Sequence, residues 1–319
     1  MMKNFLEFEK PINELETKIK ELKEFNVDDT LNIKNELHRL EAKTRKLTES
    51  IFRDLSSWQI SQLARHPMRP YMLDYVNKIF TDFVELHGDR MYSDDQSIVT
   101  GLAQFSGTGI AVIGHQKGRN TDEKVKRNFG MPRPEGFRKA QRIMKIAERF
   151  QLPLITFIDT PGAYPGIDAE MRGQSEAIAR TIALMTDLKI PIISIVTGEG
   201  GSGGALALGV CDRLLMLQYS IYSVISPEGC ASILWKDSKK AEVAADILKI
   251  TSTDLKDQNL TDEVLGEPIG GAHRNIDSMA LTISDALKRH LSDLEKINKR
   301  DMLINRYDKL RSFGIFSET

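Results

Sequence analysis

The stretch VTGEGGSGGALALG, residues 196–209, holds six glycines in fourteen positions, five of them between Gly198 and Gly204. Glycine loses more conformational freedom on ordering than any other residue, so a run this dense needs a local reason. It follows PIISIVTG (191–198), a continuous apolar segment that opens on a proline. Such a segment reads as a strand buried on both faces. The same unit occurs one step earlier. PLITFIDT (153–160) reads as a buried strand, DTPGAYPG (159–166) as its glycine turn, and AEMRGQSEAIARTIALMTDL (169–188) as its helix. Alternation of strand, turn and helix is the pattern of an α/β fold with a parallel sheet. Adjacent parallel strands would bring both turns to their carboxyl ends, the edge at which such sheets bind ligands.

Outward from this centre, SIVTGLAQFSGTGIAVIGHQ (97–116) gives two β-rich runs around SGTG, a hairpin pattern. A helix is expected from Pro134 to about Phe150. RLLML (213–217) and YSVIS (222–226) read as strands, and PEGCASILWK (227–236) opens a helix with Pro227 in its first turn. Residues 12–56 read as a helical pair. Ile12, Leu15, Ile19 and Leu22 share a stripe with Leu37, Leu40, Leu47, Ile51 and Leu55, across a polar break at NVDDT (26–30). The stripe fits a hairpin packed on its own domain and fits equally a docking surface for another chain. Residues 276–312 return to amphipathic helix, with Met279, Ile283, Leu287, Leu291 and Leu294 on one side. The expected division is therefore 1–56, a helical N-terminal region, and 57–319, the α/β domain with its C-terminal helices.

Composition narrows the function. The 319 residues are 41% hydrophobic and 28% charged, with a net charge of −1. No whole-chain attraction to nucleic acid or to a membrane follows from that balance. Cys211 and Cys230 lie in no CxxC, so a structural zinc is not expected in this chain. Acidic residues occupy the place of a secretory apolar core near the N-terminus, and no apolar run approaches the roughly 20 residues of a membrane helix. A cytoplasmic location is expected. Charge is uneven locally: residues 117–149 hold eleven Lys or Arg against four acids.

The glycine run imitates three motifs. Gly198, Gly200 and Gly203 fit the dinucleotide fingerprint, but Gln218, Tyr219 and Ser220 stand where the ribose-binding acid belongs. A phosphate-binding P-loop needs a lysine after its last glycine, and Ala205 follows Gly204. Gly200, Ser202 and Gly204 fit the nucleophile elbow of serine hydrolases, for which His273 or His290 would have to serve as base. Glycine on both sides of Ser202, however, points to the backbone rather than the hydroxyl. A turn without Cβ atoms lets a planar acyl or ureido group approach, and its N–H groups can stabilise an oxygen that gains negative charge.

Read in order, GHQKGR, RNFGMPRPEGFRKA, TFIDTPGAYPG, RGQSEAIAR, GEGGSGGALALG, YSVISPEGCASILWK and GGAHRN resemble the alpha subunit of the carboxyltransferase component of bacterial acetyl-CoA carboxylase. FLEFEKPI and RPYMLDYVNKIFTDFVELHGDR extend the resemblance over nearly the whole chain, from about Phe5. The resemblance implies a crotonase-like fold of repeated β-β-α units with helical extensions at both ends. It implies transfer of a carboxyl group from carboxybiotin, carried on the biotin carboxyl carrier protein, to acetyl-CoA, giving malonyl-CoA, the committed step of fatty-acid synthesis. It also implies a partnership of two alpha with two beta subunits beside biotin carboxylase, with zinc on beta and no covalently bound cofactor on this chain. On that pattern Gly203 and Gly204 are expected to supply oxyanion amides, with Gly162 and Ala163 as further candidates. Gly200 and Gly201, with Lys117, Arg119 and Arg127 of the basic segment, are expected to contact substrate.

Overall fold

The computed structural model describes residues 5–24 and 31–314; the polar break at 26–30 and the last five residues lie outside them. One mixed sheet runs through the molecule. Its strands are β1 (Thr81–Glu85), β2 (Ile98–Phe105), β3 (Thr108–His115), β4 (Leu154–Thr160), β5 (Ile192–Gly201), β6 (Arg213–Leu217), β7 (Ile221–Ser223) and β8 (Glu263–Leu265). They lie in the order β1-β2-β3-β4-β5-β6-β8, with β7 on the distal part of β5. β1, β2 and β3 are antiparallel, and β2–β3 is the hairpin expected at SGTG. From β3 onward every pairing is parallel.

The central strands are buried on both faces because helices cover both. Side chains alternate along a strand, and here adjacent residues enter different cores. Val112, Phe157, Ile195 and Leu215 pack on one side, against Ile283 and Leu287 of the helix Ile276–Glu295 and Tyr75 and Val76 of the helix Met72–Ile79. Ile113, Ile158, Val196 and Met216 pack on the other, against the helices Pro134–Phe150 and Gln174–Asp187. The expected C-terminal stripe is buried throughout, from Met279 to Leu294.

Three expectations change in detail. The helix expected over 169–188 is two, Ile167–Met171 and Gln174–Asp187, because Gly173 takes φ +81° between them. The C-terminal helix is likewise two, Ile276–Glu295 and Lys299–Arg311, with Asn298 capping the second through its side chain. Only Tyr222 and Ser223 of YSVIS are in strand, joined there by Ile221.

The N-terminal helices Lys10–Glu24 and Leu31–Arg53 form a hairpin. Ile12 and Phe52 are buried with Leu63 and Tyr219 of the body, and Leu47, Ile51 and Leu55 pack around them. This part of the apolar stripe is covered by its own chain. Glu9, at the entrance to the first helix, is buried beside Arg274 at 3.3 Å.

Candidate active site

β5 does not stop where its apolar run stops. Ile193–Val196 pair with β6, and then Glu199, Gly200 and Gly201 pair with β7. The strand thus changes neighbour inside the glycine run, and half of that run is strand rather than loop. Gly200 also lies opposite Thr160, the last residue of β4, after a register shift. The carboxyl ends of β4 and β5 are therefore side by side, as the parallel arrangement requires.

Close approach explains most of the glycines. A Cβ on Gly201 would lie 2.2 Å from the Pro161 carbonyl oxygen, and one on Gly204 would lie 2.6 Å from the Ala163 nitrogen. A Cβ on Gly198 would press on Asp159 at 2.4 Å, and one on Gly200 on the Tyr222 ring at 2.7 Å. Gly203 is different. A Cβ there would meet only the Ile178 side chain, at 3.6 and 3.8 Å, which is ordinary contact. Packing thus requires four of these glycines and leaves Gly203 without a packing reason.

The turn itself is made by Ser202, whose φ of +51° is uncommon for a residue with a side chain. The helix that follows, Ser202–Leu206, has five residues. Its dipole is correspondingly small, so the anion-stabilising capacity lies in individual N–H groups rather than in the helix. Gly203 and Gly204 occupy its first turn, where a helix provides no acceptor for N–H groups. Gly203 is half-buried and Gly204 buried.

The neighbouring turn is arranged otherwise. The Gly162 N–H donates to Thr160 Oγ1 at 3.1 Å, and Thr160 Oγ1 donates to the Gly130 carbonyl at 2.6 Å. Gly162 has φ +148°. Of the two further amide candidates, Gly162 is engaged within its own turn, while Ala163 is half-buried and faces Gly204.

Two cavities meet at the glycine run. A polar one of about 400 Å³ is lined by Arg65, Glu199, Gly200, Gly201, Ser226 and Glu228, among others. An apolar one of about 390 Å³ begins at Ser202 and Gly203 and continues along Leu206, Tyr222, Leu310 and Phe313.

The basic residues expected to meet substrate have partners within the chain. Lys117 Nζ lies 2.8 Å from both Asp159 and Glu199. Burial opposes its charge, but the two carboxylates raise its pKa well above the usual lysine value. Arg119 donates to the carbonyls of Pro67 and Arg69, both at 2.9 Å, pairs with Asp74 at 2.5 Å and stacks over Tyr71. Arg127 donates to the Gln96 carbonyl at 2.8 Å. Of the helical cations, Arg142 binds the carbonyls of Gly88 and His87.

The histidines do not serve Ser202. His273 stacks on His66 with ring centroids 4.2 Å apart, next to Glu9. Potential ligand atoms of Glu9, His66 and His273 lie within 4.8 Å of one another, but Arg274 already shares the Glu9 carboxylate. His290 Nε2 lies 2.7 Å from Glu263. His115, at the end of β3, is fully enclosed, and burial pulls its pKa down to about 3. It is a neutral core residue at physiological pH. Both cysteines are reduced and buried.

Sequence reasoning missed Arg65, Asp159, Glu199 and Glu228. Asp159 and Glu199 sit within the quoted turns, and two acids at the ends of adjacent buried strands are a legible sign of an ion pair. Arg65 and Glu228 carried no such sign.

Comparison with known proteins gives one answer. The family model described as acetyl co-enzyme A carboxylase carboxyltransferase-like matches residues 5–314. The chain is 60% identical over 314 residues to the acetyl-coenzyme A carboxylase carboxyl transferase subunit alpha of Chromohalobacter salexigens, covering 98% of this chain and 99% of the relative. It is 58% identical over 318 residues to the subunit of the same name from Thioalkalivibrio sulfidiphilus, covering both in full. Among solved structures, a Pseudomonas malonate decarboxylase hetero-tetramer in complex with coenzyme A aligns with a TM-score of 0.57 at 16% identity, over 69% of this chain and 89% of the other. Transcarboxylase 12S aligns with a TM-score of 0.54 at 20% identity, over 68% of this chain but only 42% of the other. At such identities the structural likeness speaks for the fold, which is that of the crotonase-like carboxyltransferases. No described helix is long and apolar enough to cross a membrane.

Proposed function

The chain belongs to the acetyl co-enzyme A carboxylase carboxyltransferase family as an alpha-type subunit, and on that premise we propose how its glycine turns take part in carboxyl transfer. The activity is that of a biotin-dependent carboxyltransferase, and its product, malonyl-CoA, feeds fatty-acid synthesis. The donor is carboxybiotin brought by a carrier protein, and the acceptor is acetyl-CoA. When the N–CO₂⁻ bond of the donor breaks, negative charge builds on the ureido oxygen. The N–H groups of Gly203 and Gly204 donate to that oxygen, with the Ala163 N–H as a third donor in preference to Gly162. Fixed donors in a half-buried turn stabilise such charge without reorganising as it forms.

The observation that carries this reading is that packing gives no reason for a glycine at position 203. Four neighbouring glycines are demanded by contact, while a Cβ at Gly203 would make only ordinary contact with Ile178. The apolar cavity that begins at Ser202 and Gly203 suits an aliphatic arm. Gly200 and Gly201 form the wall of the polar cavity on the other side. Arg119 is exposed and Arg127 half-buried, and both are proposed to meet the phosphates of coenzyme A.

The reaction creates a second oxyanion, on the thioester oxygen of acetyl-CoA as its methyl group loses a proton. This chain offers one pair of glycine turns. A beta subunit is proposed to supply the second set of donors and to carry the zinc, in an assembly of two alpha and two beta subunits that works beside biotin carboxylase in the cytoplasm. The freed biotin nitrogen takes the acetyl proton, which agrees with the enclosed state of His115 and the engagement of His273 and His290 elsewhere.

The test is to assay malonyl-CoA decarboxylation with biocytin as acceptor, using the chain alone, a beta subunit alone, and both mixed. Activity is expected only in the mixture, and more with malonyl-CoA than with methylmalonyl-CoA. Sustained turnover by the isolated chain would refute the shared-site reading.

A further inference from the structure

Lys117 occupies a place in the basic segment that suggests a phosphate contact, yet its ammonium is enclosed between two carboxylates, 2.8 Å from Asp159 Oδ1 and 2.8 Å from Glu199 Oε1. The three residues come from the carboxyl ends of three neighbouring strands. Lys117 lies two residues past β3, Asp159 is in β4 and Glu199 in β5. The same Asp159 Oδ1 accepts the Glu199 backbone N–H at 3.1 Å. That carboxylate also covers Gly198 so closely that no Cβ could fit there. On the far side, Arg65 binds Glu199 Oε2 at 2.8 Å and Glu228 at 2.7 Å. One residue before Gly198, the Thr197 carbonyl accepts from the buried Arg69 at 2.7 Å.

Three successive residues at the exit of β5 are thus held by charged or titratable side chains. Lys117 is the cation that Asp159 and Glu199 share; burial still lifts the Asp159 carboxyl above the usual carboxylate range beside it. The charges of Lys117 and Arg65 hold the Glu199 carboxyl below the usual range despite its burial. Without Lys117, Asp159 would face Glu199 with only Arg65, on the far side of Glu199, to offset the pair, and like-charge neighbours of this kind disfavour each other's ionisation.

We infer that Lys117 is a positioning residue for the glycine turn: by neutralising Asp159 and Glu199 together it fixes the exit of β5 and thereby aims the Gly203 and Gly204 N–H groups. This rests on the oxyanion role given to those groups above. A lysine with this role moves the turnover number rather than substrate affinity, because the donors act on charge that develops in the transition state.

The experiment uses the chain assembled with its beta subunit. Lys117→Met keeps an unbranched side chain of nearly the same length and removes the charge. Its kcat for malonyl-CoA decarboxylation is expected to fall about 100-fold, as for a misdirected oxyanion donor, with both KM values within about threefold. The double variant Lys117→Met/Asp159→Asn removes one charge of each sign and leaves an amide oxygen facing the Glu199 N–H. It is expected to regain about tenfold over the single variant, the non-additivity of a directly coupled pair. In parallel, hydrogen exchange at the amides of residues 199–204 should quicken in Lys117→Met while β4 and the rest of β5 keep their protection. A raised KM with unchanged kcat would instead make Lys117 a ligand contact and overturn the inference, as would unchanged kcat with unchanged exchange. If Lys117→Met does not assemble, the milder Glu199→Gln carries the same two readouts and the same overturning results. An inactive wild-type complex would refute the proposed function, while the exchange measurement would still decide the role of Lys117.

Discussion

After β4 the chain turns through Pro161, Gly162 and Ala163; after β5, which ends at Gly201, it turns through Ser202, Gly203 and Gly204. The two turns touch backbone to backbone, and each was a candidate source of oxyanion donors. They differ in where their hydrogen bonds go. The β4 turn closes on itself, with Thr160 Oγ1 accepting the Gly162 N–H and donating to Gly130. The β5 turn is held from beneath by Lys117, Asp159, Arg65 and Arg69, while Gly203 and Gly204 stand in a helical first turn. The β4 turn is a rigid buttress whose carbonyls and nitrogens set the shape of its neighbour. In the proposed mechanism the β5 turn is the part that presents donors. Equal glycine content therefore conceals unequal roles, and the sorting depends on which glycine has a contact reason to lack a Cβ.

Substitutions at four positions test that difference. Gly203→Val places a branched side chain beside the proposed donors and is expected to reduce turnover of the assembled enzyme by about 10²- to 10³-fold, roughly 3–4 kcal/mol of barrier. The melting temperature should change little, since only the Ile178 side chain stands nearby. A folded variant with near-normal turnover would leave the two turns functionally alike. Gly201→Ala should act chiefly on stability. Its Cβ would meet the Pro161 carbonyl, backbone that cannot rotate away, and overpacking of this kind costs about 3 kcal/mol. Thermal unfolding measures it, and an unperturbed midpoint would show that the contact between the turns yields easily.

Thr160→Val removes the internal partner of Gly162. Leaving a buried N–H and the Gly130 carbonyl unsatisfied should cost about 2 kcal/mol of stability by denaturant titration. Because the β4 turn is assigned a supporting role, turnover at a temperature where the variant is folded should fall far less than for Gly203→Val. Ser202→Ala is expected to be nearly silent, changing barrier and stability by no more than about 0.5 kcal/mol as exposed substitutions usually do. Loss of activity with normal assembly would return the hydroxyl to the mechanism. Ser202→Gly is a companion, since it relieves the φ of +51° and should fold at least as readily as the alanine variant.

Much of this arrangement is legible in the amino-acid order alone. Proline-bounded apolar runs at 153–160 and 191–198, each followed by glycines and a helix, are sufficient for buried parallel strands. Strand burial is a property of a continuous local run, and the run ends where glycine begins. The ordered motifs from GHQKGR to GGAHRN fix the family for the same reason, being long and local. Helix breaks were less visible. Gly173 and Asn298 interrupt apolar patterns whose periodicity continues past them, so the break depends on a single dihedral angle or cap.

Local sequence was enough for the α/β alternation and for the two glycine turns lying at the carboxyl ends of adjacent parallel strands. Which glycine is open and which are packed is a property of the folded sheet. It depends on atoms of Pro161, Ala163, Asp159 and Tyr222, each contributed by a segment remote in sequence from the glycine it confronts. The enclosure of Lys117, one of eleven cations in a basic segment, by two carboxylates is of the same kind. Charge in a sequence window counts ions without regard to distance. In a folded chain, attraction between ions depends on separation and on the local dielectric, and both are set by strands that meet only when the sheet has formed.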